Sequence, residues 1–494
     1  MNDKRTIYIY TGLLFLSAFL LSSCSQEDTI VRAVTEDDSE ILFYTSLPDI
    51  ETRSADDIDK NSIKNGFDVS AACLDSVTPG GYHLPIEYFS SQKVMQTPGM
   101  GEAFRSNSCR WSSNKGGKAG KLRFFAFYPS REVLRDSAGI FGDERENFFR
   151  LEYTNTNKDT IEYWMKSFKV NKDIAKHSDF VTATTEGSKT DNLYSGVNLT
   201  LQHQLSRIIL EAFSNSESYD VEIAGVRIGG IAIESDFSFE GIPVNFKNWN
   251  WTKIGRWIGV NQKKDVVEYI YRDGDRVITI NKENNPDESK AVSLMGKGGP
   301  ALVIPYDYGV WWEYAKKPNK DHSLLYFSVL LRVKEKLTEN HTLLYPYIEG
   351  ANLNSSVTVT ANNMKVVYLS IKTATGEVMK RVYKKGSNFY TDPNCSDSSL
   401  YSVPIGEEIR NYGWASAIPY IDGAKTQRWN PGYQYIFQLD FSKGIGVQDP
   451  DDALPGRVII YPIEVTGSQA ATWHTVKNYD NVEIKDGDVN FTIE

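Results

Sequence analysis

The chain has 494 residues, of which 40% are hydrophobic and 12% aromatic, and it carries a formal net charge of −10. That length supplies two or three domains, each with enough apolar and aromatic material for a sizeable core. The acidic balance, with no basic stripe interleaved with aromatics, excludes a nucleic-acid-binding protein, which needs clustered cations to neutralise phosphates.

Residues 1–23 begin with Lys4 and Arg5 and continue as IYIYTGLLFLSAFLL. Fifteen helical residues reach about 22 Å, short of the ~30 Å hydrocarbon core, so this run predicts an export signal and not a spanning helix. It ends in LSSC, residues 21–24, which resembles the bacterial lipobox. The resemblance implies cleavage before Cys24 and a lipid on its sulfur; the competing reading is an ordinary signal peptide with a chance cysteine. The following SQED is similar to the acidic signal that sends lipoproteins of Bacteroidetes-type bacteria to the outer face of the outer membrane. Residues 24–40 then read as an acidic tether. The segment 1–23 contributes +1, from Lys4 and Arg5 against Asp3, so the part after the cut carries −11.

From residue 41 the dominant period is two. EILFYTSL places Ile41, Phe43 and Leu47 on one face of a first strand. KLRFFAFYP, 121–129, is a dense aromatic strand stopped by Pro129. TATTEGSKTDNLYSG, 182–196, is the most linker-like internal stretch. VNLTLQHQLSRIIL, 197–210, alternates for seven steps, with Val197, Leu199, Leu201, His203, Leu205, Arg207 and Ile209 on one face. ALVIPYD at 301–307, LLYFSVLLRV at 324–333, YQYIFQLDF at 433–441 and RVIIYPIEV at 457–465 add further strands. Helical periodicity is confined to short pieces near 130–136 and 170–177. The pattern predicts an all-β chain with long loop insertions.

Residues with chemical potential are sparse. The histidines, His83, His177, His203, His322, His341 and His474, form no metal spacing, and His203 falls on an apolar strand face as a satisfied core residue would. No nucleophile elbow or phosphate-binding loop is present, and no carboxylate pair stands out, so the sequence predicts no enzyme, no cofactor and no metal site. QDPDD, with Asp449, Asp451 and Asp452, reads as a solvated acidic turn, since it lacks the rest of a calcium loop. Cys73 and Cys109 can pair, leaving Cys395 free, or all three can be isolated thiols. Trp249, Trp251 and Trp257 cluster in the insertion 245–300; they read as core packing or as a platform that stacks on a sugar.

In order, the lipobox, ETRS, LRFFAFYP, SDFVTATT, VNLTLQHQLSRI, WNPGYQYIFQLDFSKGIG and RVIIYPIEVTGSQAATW resemble the fimbrillins of Bacteroidetes-type bacteria, the subunits of type V pili. The resemblance spans most of residues 22–475. It implies two β-sandwich domains of transthyretin-like topology, placed here at 41–190 and 191–475, and a product that passes from outer-membrane lipoprotein to the fimbrium. It also implies arginine-specific trimming and assembly with other pilus subunits by strand exchange. Here the removable first strand lies within 41–53, with Ile41, Phe43 and Leu47 as its core plugs, and the cut falls between Arg53 and Ser54. The donor candidate is the tail 476–494, where Asp486-Gly487 predicts a hairpin between Val482–Ile484 and Val489, Phe491 and Ile493. The same tail could instead close the protein's own sandwich. The length favours a tip or accessory subunit with an adhesion role. The alternative is a surface lipoprotein that stays anchored through Cys24 and binds a host or dietary glycan through Trp249, Trp251 and Trp257.

Overall fold

Alternation of apolar and polar residues without helical period leaves the chain one way to satisfy its backbone groups, which is to pair strands. The computed structural model is all-β accordingly, and among the described residues helix is confined to short 3₁₀ turns, the four-residue helix Lys189–Asn192 and single helical residues at Ile63 and Arg131. It describes most of residues 38–472; the longer stretches outside it are 1–37, 47–62, 74–85, 113–120, 132–148, 244–254, 309–323, 346–364, 403–410, 418–426, 450–463 and 473–494.

The first assembly is an eight-stranded sheet. Its order is Val197–Thr200, Phe43–Ser46, Phe104–Arg105, Ile86–Gln96, Phe67–Cys73, Leu122–Tyr128, Val181–Gly187 and Gln202–His203. The two end strands are separated in sequence by Leu201 alone. One residue cannot span the width of an open sheet, so the sheet must curl until its ends meet. The enclosed core contains Ile41, Phe43, Phe67, Phe104, Trp111, Phe124, Val197, Leu199 and Leu201. The run Leu122–Tyr128 shows why its sequence is so densely aromatic. Phe124 and Ala126 enter this first core, while Phe125 and Phe127 point to the opposite face and join the second. Both faces are covered, so no position is left for a polar residue except Arg123, which meets Glu186 at 3.1 Å.

That second face is covered by a four-stranded sheet, Arg256–Ile258, Glu234–Pro243, Thr160–Lys169 and Phe149–Tyr153. Phe125 stacks on Tyr163 with ring centroids 4.6 Å apart, and Phe239 meets Phe125 edge-on at 5.8 Å. The strand Tyr219–Ala232 runs almost directly into Glu234–Pro243, with Ile233 between them accepting the Val170 N–H at 2.9 Å. A single stretch of chain thus serves both this layer and an eleven-stranded sheet built on Tyr219–Ala232, Tyr326–Glu335 and Asn411–Ala417. Gly230 makes the close approach there: its φ is +74°, and a Cβ would sit 1.9 Å from the Leu324 carbonyl oxygen. A five-stranded sheet containing Ser206–Phe213 parallel to Tyr433–Asp440 packs on the eleven-stranded one, with Phe327 and Phe437 rings 4.7 Å apart.

Two expectations change. Residues 182–196 are not a linker: they form the strand Val181–Gly187 and the capped helix Lys189–Asn192, where Ser188 accepts from the Asp191 N–H. The seven-step alternation at 197–210 is not one strand. It breaks into Val197–Thr200, Gln202–His203 and Ser206–Phe213, the first ending in one core and the last in the other. Ile208 and Leu210 are as buried as Leu205, so both faces of the last piece are covered.

Candidate functional site

The segment 38–46 is where the fold meets the expected assembly chemistry. It changes partner midway. Asp38–Glu40 pairs antiparallel with Arg110–Ser112, and the Ile41 N–H donates to the Cys109 carbonyl at 2.8 Å. Leu42 then accepts from the Val197 N–H at 2.8 Å, and Phe43–Ser46 runs parallel to Val197–Thr200. On its other side, among the described residues, the strand has a single paired position, Phe43 opposite Phe104. Its far end is fastened by the Leu201 N–H to the Ser46 carbonyl at 3.0 Å and by Ser46 Oγ donating to Thr200 Oγ1 at 3.3 Å.

Ile41 and Phe43 are completely buried. The Phe43 ring meets Phe124 edge-on at 5.5 Å, and Trp111 meets the same ring at 6.0 Å. Fully burying side chains of this size stabilises the core by about 1.5–3 kcal/mol each. Beneath the segment, burial and then the nearby Glu40 carboxylate push the Cys109 thiol up to about 12, so it is a neutral apolar filler. Cys73, in the same core, and Cys395 are likewise thiols without a disulfide. The reading in which Cys73 pairs with Cys109 therefore falls.

A contact that the sequence did not announce lies on the outer side of this segment. Gly196, φ +70°, precedes the Val197 strand, and a Cβ there would lie 2.5 Å from the Tyr44 ring. The turn behind it is fixed by Asn192 Nδ2 donating to the Gly196 carbonyl at 2.7 Å. A Gly following a short capped helix is the only available signal, and it indicates a turn, not an aromatic seat.

Of the residues expected to carry function, Ile41 and Phe43 are brought together in the first core. Leu47, Cys24, Arg53 and Ser54, the tail residues Val482, Ile484, Val489, Phe491 and Ile493, and the tryptophans Trp249 and Trp251 lie outside the described residues. Trp257 is described, and its indole is engaged inward. It contacts Phe237 at 5.0 Å and Phe168 at 5.1 Å, and its Nε1 donates to the Gln204 carbonyl at 2.7 Å. His203 is a buried residue held by Asp179, Nδ1 to Oδ2 at 2.5 Å. Asp449 is equally buried and meets Arg227 Nη1 at 3.1 Å, which spends it on an ion pair inside the protein. Arg227 also lies over the Trp414 ring at 4.1 Å and pairs with Glu268.

No curated protein matches the chain. Among solved structures it is similar to a fimbrial protein from Bacteroides vulgatus, at 11% identity and a TM-score of 0.39, covering 88% of this chain and 99% of that one. It is also similar to a C-terminally truncated form of the tip fimbrial protein Mfa3 from Porphyromonas gingivalis, at 10% identity and a TM-score of 0.27, covering 88% of this chain and all of that one. The model of the fimbrillin-like family matches residues 86–308, which include most of the eight-stranded sheet and the strands that link it to the second core. Over residues 86–308 the chain is similar to the fimbrillin-like family.

Proposed function

We propose that the protein is a structural subunit of a cell-surface fimbria, exported as an outer-membrane lipoprotein through Cys24 and released by cleavage between Arg53 and Ser54. Cleavage there would take the segment 38–46 with it, and a strand from another subunit would enter the vacated groove. One observation carries this reading. Ile41 and Phe43 are core residues supplied by a segment that, among the described residues, is bonded fully to one neighbour in its second half, through four parallel residue pairs. Its loss would expose the edge of Val197–Thr200 and leave an apolar trough, a template for an added strand. The tail offers a donor of matching pattern: Val489 and Phe491 repeat the two-residue spacing of Ile41 and Phe43. In this reading the two cores correspond to two sandwich domains of transthyretin-like topology. The family match and the similarity to fimbrial proteins agree with a pilus subunit, and the chain's length favours a tip or accessory position with an adhesion role.

The test is intact mass and N-terminal sequencing of the protein shed from the cell surface. A chain beginning at Ser54 is expected. A chain that still begins at lipid-modified Cys24 in assembled fibres would sink the strand-exchange reading and leave an anchored lipoprotein. Of the three tryptophans of the glycan-binding alternative, Trp257 is half-buried, packs against the core and donates its Nε1 to the Gln204 carbonyl, which leaves less of its ring for a sugar.

A further inference from the structure

Three arginines are buried among the described residues, Arg123, Arg227 and Arg332. Two of them meet acids. Arg123 pairs with Glu186 at 3.1 Å, and Arg227 pairs with Glu268 at 2.8 Å and with Asp449 at 3.1 Å. Among the described residues no acid meets Arg332. It is 3% exposed, and its Nε and Nη1 are buried with no hydrogen-bond partner. Glu222 stands opposite it in the ladder but is engaged elsewhere: one carboxylate oxygen takes the Lys334 ammonium, and the other accepts from the Tyr412 hydroxyl at 3.3 Å. Two cations, Arg332 and Lys334, therefore share one carboxylate, and the local sum is +1.

A guanidinium cannot shed this charge. A lysine or histidine in such a place would lose its proton, whereas arginine stays ionised, and a buried ion without a counter-ion is strongly destabilising. The fold gives the group a particular place. On one side Tyr326–Glu335 is paired along its length with Tyr219–Ala232. On the other its partner changes: the ladder with Asn411–Ala417 ends at Leu331 opposite Gly413, and Leu343–Tyr345 takes over at Val333 opposite Tyr345. Arg332 lies at the seam between these two strands. Alternation puts it on the same face as Ser328 and Leu330, whose cross-strand partners are Ser416 and Trp414. Exposure there is 2% for Trp414, 4% for Tyr412 and 8% for Glu222, so the seam admits a bare ion and not a sugar ring or a peptide.

We infer that this seam binds a small monovalent anion of halide size, held by Arg332. A single negative charge cancels the local excess, whereas sulfate or phosphate would replace a buried cation with a buried anion. The ion takes the guanidinium N–H groups that the protein leaves without an acceptor, while Lys334 and the Tyr412 hydroxyl stay on Glu222. It binds the folded seam and not the unfolded chain, so it stabilises the second core as the site fills. Tyr412 and Leu330 belong to that core and not to the one that contains Ile41 and Phe43, so the site stands or falls separately from the fimbrial reading.

The experiment follows the melting midpoint of the full chain as sodium chloride replaces sodium gluconate at a constant ionic strength of about 0.2 M. The midpoint is expected to rise by about 3 °C and to level off as the site fills. Arg332→Met should abolish this response. Arg332→Lys, which keeps the charge and loses the fixed fork of donors, should need about tenfold more chloride for the same rise. Lys121→Met, which removes an equal charge from an exposed position beside the first sheet, should respond as the parent does. Crystals of the parent soaked in bromide should show an anomalous peak against the Arg332 guanidinium, a readout that does not depend on the folding of any variant. A parent midpoint indifferent to chloride, an undiminished response in folded Arg332→Met, an equal loss in Lys121→Met, or bromide absent from Arg332 would each overturn the proposal.

Discussion

The two cores of this protein are closed in different ways. The second is built around Tyr219–Ala232, which has ten paired positions with Tyr326–Glu335 on one side and seven with Lys264–Ile270 on the other. Ion pairs such as Arg227–Glu268 and Lys334–Glu222 cross the same ladders. The first is closed by a segment from the far N-terminal side of the fold, through four parallel pairs and one antiparallel position, and its plugs are purely apolar. Apolar contacts have no directional partner requirement, so another strand with the right spacing can replace them, whereas a buried charge network tolerates no substitute of different geometry. The contrast teaches which of the two cores would lose least by opening.

The largest effect should come from the plug. Phe43→Ala in the uncleaved chain is expected to cost about 3–5 kcal/mol, read as a lowered denaturant midpoint of the first core with the second core's transition unchanged. A concerted loss of both transitions would show that the cores do not unfold separately. Next is Arg227→Ala, which strips the guanidinium from the buried Asp449 carboxylate and from Glu268; a loss of about 3–5 kcal/mol is expected, confined to the second core. A loss below 1 kcal/mol would show that the network is dispensable there, and the contrast between the cores would weaken.

The third is a pH effect. His177 is buried, its Nδ1 accepts from the Leu302 N–H at 2.9 Å, and its Nε2 lies 2.7 Å from the Asn171 carbonyl. Burial lowers its folded pKa from 6.5 to about 4. Between those values the unfolded chain binds the proton and the folded one does not, so stability falls as pH drops from 6.5 towards 4 and is regained as pH rises. The loss approaches ~3 kcal/mol at the low end. Denaturation of the parent and of His177→Gln across pH 4–7 should diverge by that amount; parallel curves would remove His177 from the account. The smallest effect concerns the rim of the first core. Gly196→Ala combines a strained positive φ with the Tyr44 contact and should cost about 1–2 kcal/mol. Tyr44→Ala in the same chain should recover the part due to the contact. No recovery would assign the whole cost to φ.

Much of the fold is legible residue by residue. The alternation in YQYIFQLDF puts Tyr433, Tyr435, Phe437, Leu439 and Phe441 on one face; the last four are buried, whereas Tyr433, at the strand's first position, is exposed. Ile41 and Phe43, which the same alternation puts on one face, are both buried, because side-chain period two is a local property of extended backbone. The run LRFFAFY also announces its own burial, because no polar face remains to be solvated.

The crossing at 197–210 is illegible, and the reason is physical. Alternation continues unbroken through Leu201, His203 and Leu205 whether the chain stays in one sheet or changes sheets, since both ends supply a dry side. Local pattern is enough to say which residues are apolar, where strands can form, and that no motif for catalysis or metal binding stands out. Long-range pairing alone sets Phe43–Ser46 parallel to Val197–Thr200, turns Trp257 towards the core and brings Asp449 to Arg227. Each of these joins residues far apart in the chain, and loop closure leaves no trace in local pattern: cost grows only slowly with loop length, so nothing nearby in sequence specifies the partner.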